Sequence, residues 1–177
     1  MSRITRSIAA AAAATLLLAA APLRAQDLDP ECASLVGTYL NTRAPNPTSD
    51  NPRVGRILLD LTEAGAATMT DSAQGGGSEK YQPFSDARGG WMCTMDVDGP
   101  PTFTAVLIDF TFPTEAMPEQ RIARVDIVGH YDEAANTLTG ETKVSFYPMD
   151  GDPLDAEAGT DGTEYSFTGE KIVPLPH

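Results

Sequence analysis

Few side chains in this 177-residue chain are able to carry chemistry, and their spacing limits what they can do. Only two histidines occur, His130 and His177, so neither a multi-histidine metal site nor a Ser-His-Asp set can be built around more than one base. His130 alternates with Arg124, Asp126 and Val128, which predicts an outer-face position on a strand. Asp109 interrupts an otherwise apolar run and is the best candidate for a buried carboxylate. Two roles are open to it: a hydrogen-bonded or Arg-paired strand residue, or a catalytic acid or base whose pocket raises its pKa. Asp150, Asp152, Asp155 and Asp161 crowd one segment, and oxygen-rich loops can hold Ca²⁺. Gly151 and Pro153 separate these carboxylates and no Glu closes a twelve-residue loop, so a solvated acidic turn is expected instead. The runs Gly75-Gly76-Gly77 and Gly89-Gly90 lack the lysine and helix of a phosphate loop and read as connectors. The sequence therefore assigns no catalytic residue, no metal ligands and no cofactor.

The two cysteines, Cys32 and Cys93, take their meaning from the first 25 residues. Arg3 and Arg6 precede an apolar stretch from Ile8 to Ala21, and Ala25 supplies a small residue before Gln26. These are the parts of a secretory signal peptide, and the stretch is shorter than the roughly 20 residues that span a bilayer. The expected mature chain, 26–177, is one soluble domain in a periplasmic or extracellular setting. In an oxidising compartment Cys32 and Cys93 are expected to form a disulfide. The alternative, a redox-active pair, lacks the C-x-x-C spacing that lowers a thiol pKa.

Acidic residues outnumber basic ones 25 to 12, for a net charge of −13. Loss of Arg3, Arg6 and Arg24 with the signal peptide would make the balance more negative still. Such a chain has no basic face to neutralise phosphates, which excludes electrostatic nucleic-acid binding. It is also repelled by anionic membrane surfaces.

The elements that must position these residues are short strands. Asp29-Pro30-Glu31 starts a single helical turn. Leu35, Gly37 and Tyr39 share one face of a first strand, which ends in a Pro- and Asn-rich loop from Asn41 to Pro52. Val54 to Thr62 and Ala66 to Thr70 form a hairpin about Glu63-Ala64-Gly65, with Ile57, Leu59 and Leu61 inward. Phe84 to Gly90 reads as irregular. Trp91, Cys93, Met95 and Val97 alternate on the next strand, which turns at Asp98-Gly99-Pro100-Pro101 into Thr102 to Phe112. That run is apolar on both faces, Phe103, Ala105 and Leu107 against Val106, Ile108, Phe110 and Phe112, so it is expected to be covered on both sides. Ile122 to Tyr131 and Thr137 to Tyr147 make a third hairpin, and the last strand runs from about Thr163 to Val173. Eight strands in hairpin order predict an all-β fold, an eight-stranded antiparallel up-and-down barrel with one short N-terminal helical turn. Closure is favoured over a sandwich because it removes exposed edges.

The helical turn leading into Gly37-Thr38-Tyr39, the seven further strands and Lys171 near the end of the last one resemble the lipocalin-like (calycin) barrels. In those barrels a Gly-x-Trp packs against a basic residue of the last strand at the closed end. Here Tyr39 stands where Trp is usual and Lys171 where Arg is common. The strings Pro83-Phe84-Ser85-Asp86 ahead of Gly90-Trp91, and Phe167-Thr168-Gly169-Glu170-Lys171, are similar to uncharacterised secreted bacterial proteins, which implies a shared fold and no activity. The resemblance implies structural roles for Tyr39 and Lys171. Three functions are open. The first is binding of a small apolar molecule in the barrel mouth, with Trp91, Met95, Ile108, Phe110, Val144 and Phe146 as lining. The second is an allene-oxide-cyclase-like or dirigent-like barrel enzyme using one buried carboxylate or tyrosine. The third is a protein-binding or inhibitor module acting through its loops. An apolar lumen without a buried ionisable group favours the first, a perturbed carboxylate such as Asp109 in a pocket the second, and a filled lumen with an apolar loop patch the third.

Overall fold

The structure is a computed structural model and describes residues 30–44, 55–76, 82–95 and 99–174. The expected signal peptide, 1–25, and Val97 lie outside the described residues. Eight strands follow one another in order: β1 (Gly37–Arg43), β2 (Gly55–Leu61), β3 (Ala66–Asp71), β4 (Ala87–Thr94), β5 (Thr102–Phe110), β6 (Arg121–Asp132), β7 (Thr137–Pro148) and β8 (Thr160–Lys171). Each pairs antiparallel with the next, and β1 pairs with β8, so the sheet is a closed up-and-down barrel. Helical structure among the described residues is confined to two 3₁₀ turns, Cys32–Leu35 and Ala156–Ala158.

Alternation of burial along the strands separates the inner face from the outer one. On β2 it selects Ile57, Leu59 and Leu61 as inward, as the sequence predicts. The connections at the two ends differ in length. At one end lie the short turns 62–65 and 133–136, and there the first 3₁₀ turn plugs the barrel. At the other end lie the longer connections 44–54, 72–86, 111–120 and 149–159. These are called below the capped end and the loop end.

The capped half is solidly apolar, filled by Leu35, Leu59, Leu61, Trp91, Phe103, Leu138 and Phe167. Each such side chain contributes roughly 1.5–3 kcal/mol by leaving water. One row across the sheet shows how the rings are fitted: Phe103 pairs with Gly129, Gly129 with Gly140, and Gly140 with Phe167. A β-carbon at Gly129 would strike the Phe103 ring, and one at Gly140 the Phe167 ring, so the two glycines make the room that the aromatics occupy.

Tyr39 and Lys171 are register partners at this end. Tyr39 is fully buried, donates its hydroxyl to Leu35 O at 2.8 Å, and meets Tyr131 edge to face at 5.6 Å. The Lys171 ammonium lies 5.7 Å from the Tyr39 ring and 5.3 Å from that of Tyr131, and donates to Ser34 O at 2.8 Å. Its stem crosses Gly37, whose φ of +151° and missing side chain permit the approach. Cys32 and Cys93 are bridged, tying the 3₁₀ turn to β4. Trp91 is core, its indole N–H donating to Thr62 O at 2.8 Å.

Two expectations are corrected, those for β4 and β5, while the acidic carboxylates of 150–157 are exposed as expected. β4 begins at Ala87, so the stretch read as irregular before Trp91 is mostly strand, and the strand stops at Thr94, leaving Met95 just beyond it. β5 is not covered on both sides: Phe103, Ala105, Leu107 and Asp109 face inward, while Phe110 and Phe112 are exposed. The acidic segment after β7 is pinned to the outer wall. Arg124 donates to Pro153 O and Leu154 O, and Tyr147 to Asp155 O, burying Tyr147 and Ile122 beneath it.

Candidate functional site

Toward the loop end the inner faces change character. β1 continues past Tyr39 with Asn41 and Arg43, β3 ends on Asp71, β5 carries Asp109, β7 Thr142, and β8 Tyr165. All are inward by the alternation that buries their apolar neighbours. Asn41, Asp71, Asp109 and Thr142 are each less than 5 % exposed.

These residues make up a polar patch of the inner face, linked through Arg43, Asp71 and Tyr165. Thr142 is the register partner of Tyr165. The Arg43 guanidinium lies over the Tyr165 ring at 5.1 Å and pairs with Asp71 at 3.1 Å. The other Asp71 oxygen accepts from Ala73 N–H at 2.8 Å. Asn41 is one inward step from Arg43 along β1. Asp109 stands beside Ala123 across the β5–β6 ladder, and Ala87, buried on the neighbouring strand, is equally small.

Burial, with the Asp71 carboxylate adding to it, pushes the Asp109 carboxyl from 3.8 up to about 7, so it holds its proton through most of the acidic range. Burial likewise pushes the Tyr165 hydroxyl up to about 12, against the pull of Arg43. Among the described residues, Asn41 Oδ1 and Asp109 Oδ1 are buried without a hydrogen-bond partner, and so by strict geometry is Thr142 Oγ1, although that hydroxyl lies close enough to its register partner Tyr165 to act on the phenol. All three belong to this patch. Buried polar atoms are nearly always paired, so these atoms stand out within the interior.

The six side chains expected to line a ligand site do not come together. Trp91 is in the capped half. Met95 is half-buried past the end of β4. Ile108 and Phe110 lie on the outer face of β5, so they do not line the lumen. The two faces of that strand are both apolar, and the one that carries Asp109 is the interior. Val144 is inward, paired with Val125 and half-buried against the core. Phe146 is at the loop end under the Arg121 guanidinium, 4.2 Å from its ring centre. His130 is exposed on the outer face beside Thr139.

Of these residues the sequence singles out only Asp109, and Asn41, Arg43, Asp71, Thr142 and Tyr165 are not among its candidates. The signal that finds them is the continued period of two: Tyr39, Asn41, Arg43 on β1 and Ala67, Met69, Asp71 on β3.

Outside the barrel, a groove of about 550 Å³ at the capped end is lined by Pro30, Glu31, Ser34, Pro100, Pro101, His130, Tyr131, Asp132 and Glu133. None of the three unpartnered atoms belongs to it. They lie on the inner faces of β1, β5 and β7. No set of His, Cys, Asp and Glu among the described residues is arranged to hold a metal ion.

Fold and site together define a small closed antiparallel β-barrel with a polar patch in the loop half of its interior. No protein-family model, curated protein or solved structure matches the chain.

Proposed function

We propose that this is an exported, lipocalin-like barrel that binds a small molecule in the loop half of its lumen, the molecule's polar group meeting Asp109. The observation that carries this reading is the Asp109 carboxyl, buried on an inner face with one oxygen unpartnered. The lining supports an amphipathic ligand over a purely apolar one, because Ile57, Met69, Val125 and Val144 adjoin the polar groups on the same inner faces. Export is supported by the signal-like segment 1–25 and by the Cys32–Cys93 bridge. The lipocalin-like assignment rests on the packing of Tyr39 with Lys171 beside a plugging turn.

The test is a thermal-shift screen with fatty acids, terpenoids, quinones, aromatic pigments and amines, alongside native mass spectrometry of protein from its own host. A true ligand at a hundredfold excess over its Kd stabilises the fold by roughly 2.7 kcal/mol. Val144→Trp, which fills the lumen beside Thr142, should abolish the shift. A screen without a stabilising compound, or a shift that survives Val144→Trp, removes the lumen as the site.

A second reading follows from Asp109, whose carboxyl near 7 suits a general acid. Under it, the bound molecule is converted, and Asp109→Asn removes turnover measured by chromatography while binding persists.

A further inference from the structure

We infer that the groove at the capped end is a docking site for a basic segment of a partner protein, an arginine-bearing stretch whose guanidinium groups meet Asp132 and Glu133. The groove lies outside the barrel, so this surface is independent of the lumen.

The first observation is shape. The groove holds about 550 Å³, within the roughly 300–1,000 Å³ of sites that enclose drug-sized molecules, and so has room for several side chains. Three stretches distant in the chain meet there: Pro30, Glu31 and Ser34 at the first 3₁₀ turn, Pro100 and Pro101 ahead of β5, and the end of β6 with Glu133 after it. They are fixed in place. The Cys32–Cys93 bridge ties the turn to β4, Lys171 donates to Ser34 O at 2.8 Å, and the Tyr131 hydroxyl donates to Asn136 Oδ1 at 2.8 Å. A site already formed loses little ordering entropy when something docks. Tyr131 is buried, while Pro30, Pro100, His130, Asp132 and Glu133 are exposed, so the rim is open to a chain lying across it.

The second observation is charge and hydrogen-bonding capacity. Among the described residues, three carboxylates line the groove, Glu31, Asp132 and Glu133, and no lysine or arginine does. Lys171 stands behind Ser34 and is engaged with its carbonyl, and counting it still leaves the carboxylates in excess. Asp132 accepts from Ala135 N–H through one oxygen, at 3.1 Å. Its other oxygen and the Glu133 carboxylate have no hydrogen bond among the described residues. After burial, the fields of Glu133 and Asp132 are what push the Tyr131 hydroxyl up. The three prolines carry no N–H, so their wall offers apolar rings and no backbone donor.

An arginine answers both features. Its guanidinium brings five donors and no acceptor in a flat fork that fits a carboxylate, and its stem lies on apolar rings. A second copy of this chain does not suit the groove, because at a net charge of −13 it brings acid to acid. A basic partner is steered toward the protein by the same net charge.

The experiment is fluorescence polarisation of a labelled hexaarginine peptide titrated with the full chain, compared with hexacitrulline, its uncharged isostere. Hexaarginine should bind about tenfold or more tightly than hexacitrulline, and its binding should weaken between about 50 mM and about 200 mM salt. Because any basic peptide is drawn to an acidic protein, two double variants of equal charge change, checked for folding by circular dichroism, locate the contact. Asp132→Asn with Glu133→Gln should weaken binding about fivefold or more, while Asp150→Asn with Glu157→Gln, on the exposed acidic segment at the loop end, should change it about twofold at most. Equal losses from the two pairs overturn the groove, since the peptide then follows the net charge alone. Hexacitrulline binding as tightly as hexaarginine overturns the charge pairing. Arginine amide displacing the probe at the same concentration as unlabelled hexaarginine overturns the segment in favour of a single small cation. No change in polarisation up to about 1 mM protein overturns the docking site itself.

Discussion

Asp109→Asn should make the ligand-free protein more stable at neutral pH and leave it unchanged in acid. The carboxyl is 4 % exposed, one oxygen has no partner, and burial together with Asp71 raises its pKa from 3.8 to about 7. Below about pH 4 both folded and unfolded chains hold the proton, so the group is neutral to stability. Between about pH 4 and pH 7 the unfolded chain gives the proton up while the folded chain keeps it. The folded state then binds more protons, and stability falls as pH rises. Above about pH 7 the loss is complete. At about 1.4 kcal/mol per pH unit, the full span amounts to about 4 kcal/mol. The asparagine of the variant keeps the shape and one acceptor and has no charge to bury. The assay is urea unfolding at intervals from pH 4 to pH 8, read by the fluorescence of Trp91, the one tryptophan in the chain and part of the core. Taking variant minus wild type at each pH cancels the other carboxylates. The difference should grow from near zero at pH 4 to several kcal/mol in favour of the variant at pH 8. A difference that stays flat across this range would refute the reasoning, since the Asp109 carboxyl would then titrate alike in both states.

Cys93→Ser opens a loop spanning 61 positions and should cost about 4 kcal/mol by loop-closure entropy, seen as a lower melting temperature, while the oxidised wild type should yield no titratable thiol. Tyr39→Ala should cost about 3 kcal/mol or more by leaving a cavity between Leu35, Tyr131 and Lys171, whereas Tyr39→Phe should cost only the bond to Leu35 O, about 1 kcal/mol in denaturant unfolding. Gly140→Ala should destabilise by about 1–3 kcal/mol because its methyl meets the Phe167 ring and Val128 O, and pairing it with Phe167→Leu should recover part of the loss.

The strand count, the hairpin order and the all-β class were legible in the sequence because alternation and turn residues are local signals. Ile57, Leu59 and Leu61 alternate about a Gly65 turn, and Asn136 takes the left-handed conformation its hairpin needs at φ 51°. The pairing of Cys32 with Cys93 was legible too, since the chain holds no other cysteine. Local pattern gives two faces to a strand and does not say which is inside when both are apolar. On β5 the choice fell to closure of the barrel, which turned Asp109 inward and left Phe110 outside. Nor does any local signal join Asn41, Arg43, Asp71, Asp109, Thr142 and Tyr165. They lie on five strands and face one lumen only because β1 returns to pair with β8, which converts separate alternations into one shared interior. Strands and their order are local properties of the chain, whereas the set of polar side chains held away from water exists only once the sheet has closed on itself.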